Sequence, residues 1–68
     1  MSKLQEYRKK AGLKQSDLAK ILKVSKTAIA NYESGARIPP VTSLKEYAKA
    51  IDIEVVELID LIVISQSQ

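Results

Sequence analysis

The apolar residues of this chain recur at the three- and four-residue spacing of amphipathic helices. Five such segments follow one another, and almost none of the chain has the two-residue alternation of a strand. The pattern therefore predicts an all-α fold of five short helices forming a single domain over residues 1–68. The positions predicted to face inward are Leu4, Tyr7, Arg8, Ala11, Leu18, Ala19, Leu22, Ala28, Ile29, Tyr32, Leu44, Tyr47, Ala48, Ile51, Val55, Leu58, Ile59 and Ile62.

Residues between these segments indicate where helices begin and end. Ser25 can accept the N-cap hydrogen bond of the third helix, which should end at Gly35. The Pro39-Pro40 pair predicts extended backbone, after which Thr42 or Ser43 can cap the fourth helix. The fifth should begin near residue 54.

The second and third predicted helices are separated by only about three residues. Two helices joined in this way, here about residues 15–34, form a helix-turn-helix unit whose second helix can enter the major groove of DNA. The outer face of that helix carries short or polar side chains suited to base edges. A generic helical hairpin would explain the apolar spacing equally well, but not so polar an outer face. The outward residues are Lys26, Thr27, Ala30 and Asn31.

Charge divides the chain into two halves of opposite sign. Residues 1–37 hold nine Lys or Arg against three Asp or Glu, whereas residues 38–68 hold two against five. The first half thus has a net charge of +6 and the second a net charge of −3, which indicates a polyanion-binding face at one end of the molecule. The simpler alternative is that these charges only keep a small domain soluble.

The composition argues against catalysis. There is no Cys and no His, which removes disulfides and the usual zinc ligands and weakens any case for nucleophilic or imidazole chemistry. Ser25 beside Lys26 is the one candidate couple, and a helix cap explains Ser25 better. We therefore expect no enzyme activity, metal, cofactor or small-molecule ligand.

Nothing in the chain points to a membrane. The N-terminal residues lack the apolar core of a secretory signal, and no apolar stretch reaches the length of about 20 residues that spans a bilayer. We expect a cytoplasmic protein.

Several short motifs occur in a specific order and spacing. Each is weak alone, but together they resemble the Cro and repressor (Xre-like) family of helix-turn-helix DNA-binding proteins over residues 4–62. The resemblance implies the compact five-helix fold of lambda-repressor-like domains. The motifs are Arg8-x-x-x-Gly12-Leu13-x-Gln15, Leu18-Ala19, Val24-Ser25, Tyr32-Glu33-x-Gly35, Pro39 and the Leu44 to Ala48 spacing.

The resemblance also implies roles for particular residues. Base reading falls to Lys26, Thr27 and Asn31, with Ala30 among them. An ion pair between Arg8 and Glu33 would tie the first helix to the third, the alternative being Arg8 on phosphate with Glu33 solvated. Contacts with the DNA backbone fall to Lys14, Gln15, Lys23, Ser25 and Arg37.

Two residues depart from the family pattern. Lys23 stands in the turn where Gly is common, and a left-handed non-Gly residue costs about 1–2 kcal/mol. Lys14 replaces the Ser or Thr cap of the second helix, a loss of about 1 kcal/mol. Its charge also opposes the helix dipole in the free protein, and bound phosphate would relieve that repulsion.

The sequence therefore predicts a transcriptional repressor that binds a palindromic operator in double-stranded DNA as a homodimer. An antitoxin-like or other protein-interaction module of the same fold is the alternative.

Four apolar residues of the predicted C-terminal helix and tail, residues 54–68, lack an obvious cover. Contiguous exposed apolar groups usually mark an interface, so this segment is the expected dimer contact. The alternative is a tail folded over its own monomer. We expect residues 63–66 to continue the helix with an irregular end, although a short strand is also compatible. The uncovered residues are Val56, Leu61, Val63 and Ile64.

Overall fold

Five α-helices, and no strand, make up the part of the chain that the computed structural model describes, residues 2–66. The prediction of an all-α, five-helix fold is confirmed. The helices are α1 (Lys3–Lys10), α2 (Gln15–Leu22), α3 (Lys26–Ser34), α4 (Val41–Ala50) and α5 (Val55–Gln66).

The starts of α2 and α3 use different capping groups. Ser25 Oγ accepts a hydrogen bond from Ala28 N at 3.1 Å, so the predicted cap of α3 is confirmed. Lys14 supplies no side-chain cap to α2. Instead, the carboxylate of Asp17 accepts a hydrogen bond from Lys14 N at 2.9 Å. The acidic side chain one turn into α2 thus supplies part of what the missing Ser or Thr would have given.

The start of α4 differs from the prediction. Helix α4 begins at Val41 with Pro40 in the N-cap position, so the expectation that Thr42 or Ser43 caps it was wrong. Pro40 has φ −58° and ψ 146°, values that its ring favours and that lead directly into a helix. Ser43 Oγ donates to the carbonyl of Pro40 at 2.9 Å.

The core lies where all five helices converge. Tyr47, Leu4, Leu18, Ile29, Ile51 and Leu58 are the largest fully buried side chains. Each of the five helices contributes at least one of these residues. No helix therefore buries its apolar face without the others.

Helix α5 buries a different sector from the one predicted. Ile59, expected inside, is 42% exposed, whereas Leu61, expected to be uncovered, is only 9% exposed. The buried side of α5 is centred on Leu58, Leu61 and Ile62, an i, i+3, i+4 set. Because α5 contacts α1, α3 and α4, its neighbours cover Leu61 and leave Ile59 at the edge.

The end of α5 follows the expected helical course. The backbone remains helical through Val63 and Ile64 to Gln66, and residues 67–68 of the predicted tail lie outside the described residues. The expectation that Leu61 forms part of an exposed dimer contact is wrong, because Leu61 packs into its own domain. Val56, Val63 and Ile64 are 72%, 60% and 51% exposed.

Candidate nucleic-acid interface

The turn between α2 and α3 fixes the angle at which the two helices meet. Lys23, at the turn position where the resemblance leads one to expect Gly, adopts the left-handed conformation with φ 58° and ψ 44°. Val24 N donates to the carbonyl of Ala19 at 3.0 Å, and Val24 packs against the core. A left-handed residue that closes the end of one helix allows the next to begin within three residues.

The end of α3 is equally well defined. Gly35 is left-handed with φ 84°, a conformation that Gly adopts without the penalty of a Cβ atom. The carbonyl of Asn31 accepts hydrogen bonds from Ala36 N at 2.9 Å and Arg37 N at 3.2 Å. These bonds hold the exposed Arg37 directly beyond the C-terminal end of α3.

The four residues predicted to read bases lie together on one side of α3. At about 100° per residue they fill a sector of about 140°. Lys26 and Thr27 are exposed, and Ala30 and Asn31 are partly exposed. The opposite side, formed by Ile29, Tyr32 and Glu33, is buried. Helix α3 therefore presents a short, polar and cationic surface away from the core.

A buried polar cluster joins α1 to the helix-turn-helix unit. Arg8 Nε donates to Glu33 Oε2 at 2.5 Å, and the two side chains are 6% and 5% exposed. The second donor of the guanidinium, Nη1, reaches the carbonyl of Leu13 at 2.7 Å. Arg8 is thus part of the protein interior, and the alternative in which it contacts phosphate does not match this geometry.

Gln15 belongs to the same cluster. Its Nε2 donates to the second carboxylate oxygen of Glu33, Oε1, at 3.0 Å. Both oxygens of Glu33 are therefore satisfied, one by a cation and one by a neutral amide. Sequence reasoning placed Gln15 on phosphate and missed this bond. No spacing rule reveals it, because residues 15 and 33 lie on different helices.

An open cleft of about 530 Å³ lies between α1, the first turn of α2 and the start of α3. It brings together Lys14 and Gln15, predicted to contact the DNA backbone, with Lys26, predicted to read bases. Lys9 also lines the cleft, although sequence reasoning had assigned it no role. The N–H groups at the start of α2 add a further preference for anions.

The remaining predicted backbone contacts lie around this cleft and not in it. Lys23, Ser25 and Arg37 are all exposed, but none of them lines it. They occupy the turn before α3, its N-cap and the segment after its C-terminal end, so they flank α3 at both ends.

Residues 2–66 contain no group of three or more His, Cys, Asp or Glu side chains arranged to hold a metal ion. Within the same range, every helix is too short or too polar to cross a membrane.

The comparisons with known proteins agree with this geometry. A family model described as helix-turn-helix matches residues 4–58, which include the whole of α2, α3 and α4. Comparison with curated proteins and with solved structures gives no match. The family match covers most of the chain and contains every residue described above around α3. The chain belongs to the Xre and Cro type of helix-turn-helix family, a family of DNA-binding transcription regulators.

Proposed function

We propose that this protein is a transcriptional repressor that binds a palindromic operator in double-stranded DNA as a homodimer, with α3 in the major groove. The observation that carries the proposal is the polar sector of α3 beside the lysine-lined cleft. An operator-bound domain represses by excluding other proteins from the same DNA.

Each side chain of the polar sector has a chemical match among the bases. Lys26 can donate to O6 or N7 of guanine, Asn31 can form a bidentate pair with adenine, and the methyl group of Thr27 can contact that of thymine. Ala30, lying between them, is small enough to let the helix approach the groove closely.

Phosphate contacts fix the position of α3. Lys14, Lys23 and Arg37 place positive charge around the reading helix, and Ser25 adds a hydroxyl at its start. Each phosphate neutralised by Lys or Arg releases counterions from the DNA. A phosphate at the start of α2 would also relieve the unfavourable position of the Lys14 charge. Gln15 can contact the same phosphate, with or without its bond to Glu33.

A homodimer matches the two half-sites of a palindromic operator. Two reading helices must reach successive major grooves about 34–36 Å apart. The described part of the chain measures 27 × 24 × 23 Å, so one copy is too small to present two reading surfaces at that distance. Two copies, each presenting one α3, can span that distance. The exposed apolar residues Val56, Val63 and Ile64 of α5 are available for their contact.

Selection from randomised duplex DNA tests the proposal. We expect the enriched sequences to contain an inverted repeat with half-sites about one helical turn apart. Affinity for the enriched duplex should fall with salt at a log–log slope of about −0.9 per phosphate neutralised.

The double variant Lys26→Ala, Asn31→Ala is the matched control, since both changes lie on the surface of α3. It should lose the enriched motif while remaining folded. A protein-interaction module of the same fold would enrich no motif, and that result would reject the proposed function.

A further inference from the structure

An apolar groove runs along the side of the molecule, between the segment after α3 and the outer edge of α5. It encloses a volume of about 500 Å³. Val41 and Ile38 on one wall are 83% and 63% exposed, and Val63 on the other is 60% exposed. The residues lining this groove, called the side groove below, are Ile38, Pro39, Val41, Leu44, Ile59, Ile62 and Val63.

We propose that a second copy of this chain occupies the side groove, and that the groove, not the end of α5, is the centre of the dimer contact. This inference rests on the proposed function, which requires a homodimer, and it names the surface that joins the two copies. The sequence alone pointed to the C-terminal helix and tail, through Val56, Leu61, Val63 and Ile64.

The exposed apolar side chains of α5 do not all lie on one face. Val56, Ile59 and Val63 follow an i, i+3, i+7 pattern and form one stripe. Ile64 lies about 100° around the helix from Val63. The stripe therefore widens the α5 wall of the side groove, whereas Ile64 points to another side.

The apolar surface is larger than scattered exposed residues would explain. Single exposed Ile or Val side chains are ordinary, but contiguous ones on a monomer mark a contact surface. Here Ile38 and Val41 from one segment face Ile59 and Val63 from another. Because α4 and α5 are already packed together, the groove is preformed and needs no rearrangement to be covered.

Exposed residues of opposite charge adjoin the lining residues on the two rims of the side groove. Lys45 follows Leu44 of the α4 wall, and Asp60 follows Ile59 of the α5 wall. In a symmetric contact the same surface is used by both copies. With the two-fold axis along the groove, the Lys45 rim of one copy meets the Asp60 rim of its partner. Opposite charges then face each other across the contact.

The side groove lies beside α3 and outside its polar sector. It begins at Ile38, directly after Arg37, and so lies on the flank next to the C-terminal end of α3. Copies joined at this flank have centres separated by about one molecular width, 23–27 Å.

Sedimentation of the full chain and of single variants tests the inference. Val41→Asp and Ile59→Asp place a charge inside the covered groove, and we expect the dimer dissociation constant to rise at least about tenfold. Ile21→Asp is the matched control, since Ile21 on α2 is 43% exposed against 42% for Ile59 but lies outside the groove. This variant should dimerise like the parent. Circular dichroism establishes that each variant is folded.

A charge exchange tests the orientation of the two copies. Lys45→Glu and Asp60→Lys should each weaken the dimer, and the double variant should recover most of the parent affinity, because the facing charges are again opposite. Val41→Asp and Ile59→Asp proteins that dimerise like the parent would overturn the inference. So would a loss of the dimer in Ile64→Asp with both groove variants unaffected.

The same samples separate this inference from the proposed function. A parent that dimerises through the side groove but enriches no palindrome contradicts the function and leaves the contact established. A parent that enriches a palindrome but is monomeric both alone and on that duplex overturns the side-groove contact.

Discussion

The helix-turn-helix half of the molecule and its α4–α5 half are held together by different forces. Helices α1, α2 and α3 are joined by the buried cluster of Arg8, Glu33 and Gln15 as well as by apolar packing. Helices α4 and α5 are held mainly by apolar packing, with the Tyr7–Glu57 hydrogen bond as an addition, and they expose more large apolar side chains than the first half does. The first half therefore carries the directional buried bonds, and the second half carries most of the exposed apolar surface.

The buried polar groups of the two regions show the same contrast. Both carboxylate oxygens of Glu33 have partners. The hydroxyl of Tyr47, on α4, is buried without a hydrogen-bond partner in the described residues. Burial raises the pKa of Tyr47 well above its usual value, with a further contribution from the nearby charge of Glu33. Tyr47 therefore packs as a bulky apolar residue, and its hydroxyl contributes no hydrogen bond to stability.

The largest effect is expected from Arg8→Ala. This change leaves Glu33 charged, buried and without its cation, and it should lower the free energy of unfolding by about 3–5 kcal/mol. Denaturant unfolding measures the loss. Gln15→Ala is the control, because it removes only the neutral donor to the same carboxylate and should cost less. An unchanged unfolding midpoint for Arg8→Ala would show that the cluster does not stabilise the first half.

The next effect concerns DNA and not stability. Asn31→Ala should cost about 1–3 kcal/mol against the preferred duplex and relax the preference at one position in each half-site. Arg37→Ala should weaken binding to all sequences alike, because phosphates carry no sequence information. Titrations on the selected duplex and on random DNA compare the two. Equal losses on both DNAs for both variants would refute the division into reading and anchoring residues.

A smaller effect, of opposite sign, is expected at Tyr47. Removing an unpartnered buried hydroxyl by Tyr47→Phe should raise the free energy of unfolding by about 1 kcal/mol, since the desolvation of that group is no longer required. Thermal and denaturant unfolding measure the gain. A loss of stability would mean that the hydroxyl has a partner in solution.

Tyr7→Phe makes the same chemical change where the hydroxyl has a partner. Tyr7 Oη donates to Glu57 Oε2 at 2.8 Å, joining α1 to α5. That hydrogen bond raises the pKa of Tyr7. Because the pKa is raised in the folded state, the hydrogen bond contributes its full stability below the unfolded-state pKa of Tyr7. That contribution is lost as the pH rises through the folded-state pKa. Tyr7→Phe should therefore be less stable than the parent at neutral pH, and the difference should shrink at strongly alkaline pH.

The smallest change in stability is expected at Lys23, in the turn between α2 and α3. Lys23→Gly relieves a left-handed non-Gly residue, worth about 1–2 kcal/mol, but it also adds freedom to the unfolded chain, which costs roughly 0.5–1 kcal/mol. The net gain in stability should be about 0.5 kcal/mol. The same variant should bind all duplexes more weakly, because one cation is lost. A stability loss would indicate that Lys23 makes a contact that outweighs its strain.

Much of the local structure could be read from the residues themselves. The extent of the helix-turn-helix unit, the Ser25 cap, the end of α3 at Gly35 and the polar sector of α3 each depend on residues within a few positions of one another. Hydrophobic period, capping groups and turn geometry are local properties, so a single sequence reveals them. The shared motifs extended that reading to the family.

Contacts between helices decided the rest. The sequence could not show that Leu61 is buried and Ile59 exposed. The helical period of α5 reveals an apolar side, but not which sector of that side the neighbouring helices cover. The bond from Gln15 to Glu33 joins residues on different helices. The side groove likewise exists only where Val41 meets the edge of α5. Each depends on where one helix lies against another, and chain spacing carries no information about that placement.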